Sequence, residues 1–297
     1  MDFNNKTIYK NPAETYLLSL NSVVGRAVSG RTIKRFCKKI ANNDCYLAFD
    51  WSKLDYTVLL EVKAYYQELG LSSGSINTYI ATIKGVAKEA WKQKIIATDD
   101  YLHIKDLKRA QGYKSLSGKA LSGDELNRVI SHCMKLESNL GKRNAAMIAL
   151  TYGAGLRVHE LAKLTVDDYQ CGFVKFMGKG NKERKQPLPD FVICIMSKWL
   201  ACRPNDTKGL FLRVWRNDSV STNQLSCRSI GKIYKRIGVD DFRPHDLRRS
   251  FATNLLEQGV DLFTVQNLMG HSNVNTTRRY DMRGEQTKID AVQLLPF

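Results

Sequence analysis

Arg243-Pro-His245-Asp-Leu-Arg248-Arg249 reads as a helix start with its chemistry on one face. Proline suits the first helical turn, where its missing N–H would have no intrahelical partner. His245 and Arg248, three residues apart, project the same way, while Arg249 is swung roughly 100° around the axis. Upstream, Gly155-Leu-Arg157-Val-His-Glu160-Leu161 repeats the device, with Arg157 and Glu160 spaced to pair at another helix start. Downstream, His271 follows Gly270 at a helix end, and Tyr280 comes nine residues later. Between them, Phe173–Met177 and Lys185–Leu188 flank Gly178-Lys-Gly-Asn-Lys182, a β-hairpin pattern whose basic turn carries Lys179 and Lys182. Singly, none of these is diagnostic. A surface Arg–Glu pair, a capping histidine and one tyrosine among 13 are all ordinary.

The surrounding chain is mostly helical in pattern. Ser122-Gly-Asp-Glu125 is a capping box, followed by Leu126, Val129, Ile130 and Cys133 at helical spacing. An apolar helix over about 143–152 stops at Gly153-Ala-Gly155, and from Asp190 onward the periodicity is helical again. The first half predicts four helices. One starts at Pro12 behind a capping Asn11, and a second starts near Gly30 with Ile33, Phe36 and Ile40 on one face. A third covers 56–69 and a fourth 74–93. Lys84, Lys88 and Lys92 line the outer side of the fourth, as a solvated face or a phosphate-facing stripe. Residues 110–120 are small and polar, so the chain divides into a helical domain at 1–110, a linker at 111–120 and a larger domain at 121–297. The fold class is mainly α with a small β-sheet.

Composition narrows the function. The chain has 297 residues and a formal charge of +17, from 46 Lys+Arg against 29 Asp+Glu. Residues 1–115 hold 18 basic and 11 acidic residues and the remainder 28 and 18, so both halves are cationic. That suggests a polyanion running across both, with nucleic acid the first candidate. With 43% hydrophobic residues the chain is not disordered throughout, and its longest apolar run, Phe191–Met196, is far short of a membrane span. The opening Met1–Lys6 lacks a signal-peptide pattern, so a cytoplasmic location is expected. Seven cysteines without a C-x-x-C spacing signal neither a disulfide framework nor a zinc site. No P-loop or metal-ligand cluster is visible, and no cofactor is expected.

The ordered set is more specific than its members. Gly-Leu-Arg157 with Glu160, the Lys179 hairpin, His245-x-x-Arg248, Leu268-x-Gly-His271 and then Tyr280 together resemble the tyrosine recombinase (phage integrase) family. The resemblance covers 121–297 as its catalytic domain, and the helical first domain is similar to the family's SAM-like core-binding domain. It implies a site-specific DNA recombinase in which Arg157 and Arg248 clamp the phosphate and Tyr280 is the nucleophile. Lys179 would protonate the leaving 5′-oxygen, with His245 handling protons and phosphate, His271 a second phosphate donor, and Glu160 holding Arg157 or His245. Arg249 stands where many relatives carry histidine and would add a phosphate contact. The resemblance further implies a homotetramer on two double-stranded DNA recombination sites, with a related recombinase or accessory protein as a possible partner, and a bacterial, phage or mobile-element source. Ile289, Val292, Leu295 and Phe297 then form a terminal helix, folded back or docked on the neighbouring protomer. An architectural DNA-binding protein and a type IB topoisomerase are the alternatives. The choice among integration, excision and resolution stays open.

Overall fold

The structure is a computed structural model that describes residues 11–112, 118–170, 172–178, 183–239, 242–271, 273–281 and 292–293. Two compact units divide the chain, Met1–Ser115 and Leu116–Phe297.

In the first unit, α1 (Pro12–Ser19), α2 (Val23–Ala41), α3 (Tyr56–Glu68) and α5 (Thr98–Asp106) all pack on α4 (Ser73–Lys92). The caps explain the starts. Asn11 accepts from the Ala13 N–H at 3.0 Å, Asp55 from the Val58 N–H at 2.8 Å, and Ser22 from the Gly25 N–H at 3.2 Å. Ile33, Phe36 and Cys37 of α2, Leu59 and Val62 of α3, and Ile76, Ile83 and Val86 of α4 form the core. Gly85 is the crossing point of α1 and α4, where a Cβ would lie 2.2 Å from the Tyr16 ring.

Two features differ from the sequence expectation. The second helix begins at Val23, seven residues before Gly30, because Ser22 caps it. Its first turn carries the exposed Val23 and Val24, so no core-facing stripe marks it. A fifth helix, α5, was not expected. It is short, and of its residues only Ile104 is buried.

The second unit is organised on α7 (Asn139–Gly153), with Ala145 to Leu150 wholly buried. It packs against α6 (Gly123–Met134), α9 (Asp190–Leu200) and α11 (Pro244–Glu257). The expected capping box is present on α6, where Ser122 and Glu125 exchange hydrogen bonds of 2.8 and 3.2 Å. The short β1 (Tyr169–Gln170) joins the hairpin of β2 (Phe173–Met177) and β3 (Glu183–Pro187), paired from Phe173↔Pro187 to Met177↔Glu183. A second two-stranded sheet, β4 (Leu212–Val214) with β5 (Val220–Gln224), corrects the expectation of helix throughout from Asp190. β4, Leu-Arg-Val, is too short to show a period, and β5 is mostly polar and buries little besides Ser221, so alternation is weak. The remaining helices are α8 (Val158–Leu161), α10 (Cys227–Arg236), α12 (Leu262–Met269) and α13 (Val274–Arg278). Among the described residues no helix is long and apolar enough to cross a membrane.

Candidate active site

Two helix ends, built alike, deliver the polar residues. At the end of α7 the Gly155 N–H donates to the Tyr152 carbonyl at 3.1 Å and the Leu156 N–H to the Thr151 carbonyl at 3.0 Å. This pair of bonds requires a left-handed residue, supplied by Gly155 at φ +58°. A Cβ there would also fall 2.6 Å from the Phe251 ring of α11. At the end of α12 the Gly270 N–H donates to the Asn267 carbonyl at 3.0 Å and the His271 N–H to the Gln266 carbonyl at 3.1 Å, with Gly270 at φ +60°. The first reversal ejects Arg157, the second His271.

Arg157 then caps α8. Its backbone N–H donates to Glu160 Oε2 at 2.7 Å and its Nη1 to Oε1 at 2.9 Å. The Glu160 side chain is wholly buried, whereas the Arg157 side chain keeps 27% of its surface exposed. From α11, Arg248 Nη1 lies 3.9 Å from Glu160 Oε2, so one carboxylate serves two guanidinium groups. Of the two partners expected for Glu160, Arg157 is the one that it bonds.

Arg248 is almost fully buried. It donates to the Gly155 carbonyl, to the Met269 carbonyl at 2.6 Å, and pairs with His271 Nε2 at 3.2 Å. Burial, and then Arg157, push its pKa down to about 10, which leaves it cationic at neutral pH. His271 is pushed down to about 4, by burial first and then by the charges of Arg248, Arg157, Arg184 and His245. Its imidazole is therefore neutral. Gln266 Nε2 fixes the His271 carbonyl at 2.8 Å, and Thr277 Oγ1 lies 2.9 Å from Nδ1.

Tyr280 follows α13 and is 8% exposed. Its carbonyl accepts from Thr253 Oγ1 of α11 at 3.2 Å, and its ring centroid lies 6.1 Å from that of His271. Arg249 does not simply turn away. Its guanidinium sits 5.9 Å from the Tyr280 ring centroid and donates to the Gly118 carbonyl at 3.1 Å. Arg157, Glu160, Arg248, His271 and Tyr280 thus form one linked group. His245, in the first turn of α11, is exposed and is the last of the groups that lower the His271 pKa. Lys179 and Lys182 lie outside the described residues, as do Ile289, Leu295 and Phe297; Val292 is exposed.

Three contributors escaped the sequence reading. Arg184 of β3 donates to the Leu268 carbonyl and, at 3.4 Å, to the Met269 carbonyl, and its guanidinium stacks 4.8 Å from the Phe176 ring. Burial lowers its pKa. Together Arg184 and Arg248 neutralise the orphan carbonyls at the negative end of α12. The others are Thr253 and Thr277, buried threonines that no motif singles out. Only the carbonyl-gripping arginine offered a signal, as a cation in a hairpin strand beside the basic turn.

The lysine row on α4 divides in the structure. Lys84 Nζ turns to the Lys105 and Leu107 carbonyls at 2.7 and 2.8 Å, closing the end of α5. Lys92 pairs with Glu89 at 2.8 Å, and Lys88 is exposed. A denser cationic face lies on α2, where Arg31, Lys34, Arg35, Lys38 and Lys39 are all exposed opposite the buried Ile33, Phe36 and Cys37. No group of acidic, His and Cys side chains among the described residues could hold a metal.

The chain is similar to known proteins in sequence and in fold. A sequence model of the Phage integrase family matches residues 119–286, and one of the Phage integrase SAM-like domain matches 28–107. Tyrosine recombinase XerD of Oceanobacillus iheyensis is 31% identical over 273 residues, 86% of this chain and 89% of that protein. Tyrosine recombinase XerD of Staphylococcus epidermidis is 35% identical over 240 residues, 76% of this chain and 78% of that protein. Among solved structures, the Tn1549 transposon integrase in complex with circular intermediate DNA superposes with a TM-score of 0.72 at 17% identity, covering 98% of this chain and 100% of that one. The XerH site-specific recombinase bound to difH substrate gives 0.66 at 22% identity, with 98% and 86% coverage. At these identities the structural likeness is one of fold.

Proposed function

The chain belongs to the phage integrase family of site-specific tyrosine recombinases, and on that premise we propose how its own residues cut and rejoin duplex DNA. The observation that carries the reading is the shared carboxylate: buried Glu160 orients Arg157 at 2.9 Å and lies 3.9 Å from Arg248, which meets His271 at 3.2 Å, and the His271 ring centroid lies 6.1 Å from that of Tyr280. Two guanidinium groups held this way match the non-bridging oxygens of a phosphodiester, whose negative charge grows during displacement. Arg157 keeps an exposed edge for that contact. Tyr280 Oη attacks phosphorus, the phosphorus–O5′ bond breaks, and a 3′-phosphotyrosine conserves the bond for rejoining. Lys179 gives the leaving 5′-oxygen its proton, and His245 accepts the phenolic one. A 5′-hydroxyl from the second site then reverses these steps and releases Tyr280.

Double-stranded DNA carrying a recombination site is the partner this reading requires. The +17 charge and the cationic face of α2 support binding of its phosphates by both units. Four copies on two sites would exchange strands pairwise through a Holliday junction, and the work would be cytoplasmic, where the chromosome and mobile elements are.

Capture of covalent adducts tests this directly. Cells expressing the wild type or Tyr280→Phe are denatured, and protein-linked DNA is precipitated and sequenced. Adducts at one or a few loci, absent from Tyr280→Phe, are expected. Persistent adducts in that variant would remove Tyr280 as the nucleophile, and adducts scattered over the genome would point to a topoisomerase.

A further inference from the structure

We infer that Thr277 is a positioning residue that holds His271 in a single tautomer, with the proton on Nδ1 and the Nε2 lone pair turned to Arg248. The argument is one of hydrogen-bond inventory. A guanidinium has donors only, so the 3.2 Å contact between Arg248 Nη2 and His271 Nε2 makes Nε2 the acceptor. A neutral imidazole with an unprotonated Nε2 carries its proton on Nδ1, and the group 2.9 Å from Nδ1 is the Thr277 hydroxyl. Thr277 has no exposed surface, so water does not compete for that bond. Burial and the neighbouring cations, Arg248 from α11, Arg157 before α8 and Arg184 from β3, keep the ring uncharged, and the His245 imidazole of α11 acts in the same direction. Tyr280, after α13, faces it at 6.1 Å.

This deepens the function proposed above and rests on it for the consequence, though not for the tautomer. While its lone pair is engaged by Arg248, Nε2 has no proton to give a phosphate. His271 therefore orients Arg248 in the DNA-free protein, and it becomes a phosphate donor only when a proton reaches Nε2. Thr277 lies three residues before Tyr280, so the acceptor for the Nδ1 proton is supplied by α13.

The test uses the full-length chain. Long-range proton–nitrogen spectra of the free, 15N-labelled protein at neutral pH resolve its five histidines, and His271→Gln identifies the signal. The expected pattern is a protonated Nδ1 and an unprotonated Nε2. Thr277→Val, of nearly the same shape, should shift the ring toward the other tautomer. It should also slow cleavage of the duplex recovered by adduct capture by about tenfold, the kinetic equivalent of one hydrogen bond, with affinity for that duplex unchanged. Thr277→Ser should restore both. A wild-type ring protonated on Nε2, or a Thr277→Val protein that cleaves at the wild-type rate, overturns the inference; if that variant does not fold, the wild-type spectrum decides. Adducts formed by Tyr280→Phe would instead overturn the assignment of the nucleophile and leave the tautomer standing.

Discussion

Replacing Glu160 by glutamine removes one negative charge from beneath two arginines, and the structure sets the cost. Both carboxylate oxygens are engaged, by the Arg157 N–H at 2.7 Å and its Nη1 at 2.9 Å, in a side chain with no exposed surface. Glutamine keeps one acceptor and turns an NH2 toward the other donor, so a donor faces a donor. Losing one partner of a buried ion pair costs about 3–5 kcal/mol, and the retained acceptor places this variant near 3 kcal/mol. For a unit of this size that corresponds to a fall of roughly 6–12 °C in its melting temperature. Calorimetry of the full chain measures it, and Arg157→Ala with the double variant closes a thermodynamic cycle. The expected coupling is at least ~1 kcal/mol, since the residues touch. A Glu160→Gln protein within ~1 kcal/mol of wild type by denaturant unfolding, with additive behaviour in the cycle, would refute the shared-carboxylate argument.

Three further outcomes can be checked on the same protein. Gly85→Ala should destabilise the first unit by about 1–2 kcal/mol despite alanine's better helix propensity, because the new methyl meets the Tyr16 ring at 2.2 Å; an unchanged denaturation midpoint would contradict this. Lys84→Met should lower stability by ~1–2 kcal/mol by freeing the Lys105 and Leu107 carbonyls, yet leave the salt slope of DNA binding intact. A slope reduced by about one would show that Lys84 contacts phosphate. His271 titrates near 4 when folded against an ordinary value of 6.5, so the unfolded chain binds its proton first. Its contribution to stability is complete above about pH 6.5 and declines as pH falls toward 4, and His271→Gln should flatten that part of the pH–stability curve. An unaltered curve would mean that other groups dominate it.

Much of the architecture was legible because local chemistry and tertiary packing agreed. The Ser122–Glu125 box, the Asn11-Pro12 start and the hydrophobic stripe of α4 each carry their own signal. Arg157, Glu160, Arg248, His271 and Tyr280, which the structure brings together, were legible as well, but only as an ordered set, since a spacing of three on a helix constrains neighbours and not distant residues. What brings Arg157 to His271 is a pair of left-handed glycines and the carbonyls that Arg248 and Arg184 grip, and these are long-range contacts. Thr253 and Thr277 therefore carried no warning in the sequence, and Arg184 only that of a cation beside the basic turn. The same limit applies to Lys84, whose regular spacing suggests an outward row although its ammonium closes α5. The sheet of β4 and β5 was missed because one strand has only three residues and the other, Val-Ser-Thr-Asn-Gln, is mostly polar, which leaves little alternation to read.

The helix that precedes Tyr280, α13, is only five residues long. A helix of that length has no stability of its own in water. What holds it are the Thr277–His271 and Thr253–Tyr280 bonds and the burial of a few side chains, whereas α7 at the foot of Arg157 is enclosed on every side. The two halves of the chemistry therefore sit on opposite rungs of the ladder of local opening. Amide hydrogens along Ala145–Leu150 should exchange only with global unfolding of the unit, and those of α13 through far smaller excursions. On the proposed function, the timing of strand cleavage can be set by releasing or seating Tyr280 while Arg157 and Arg248 stay folded.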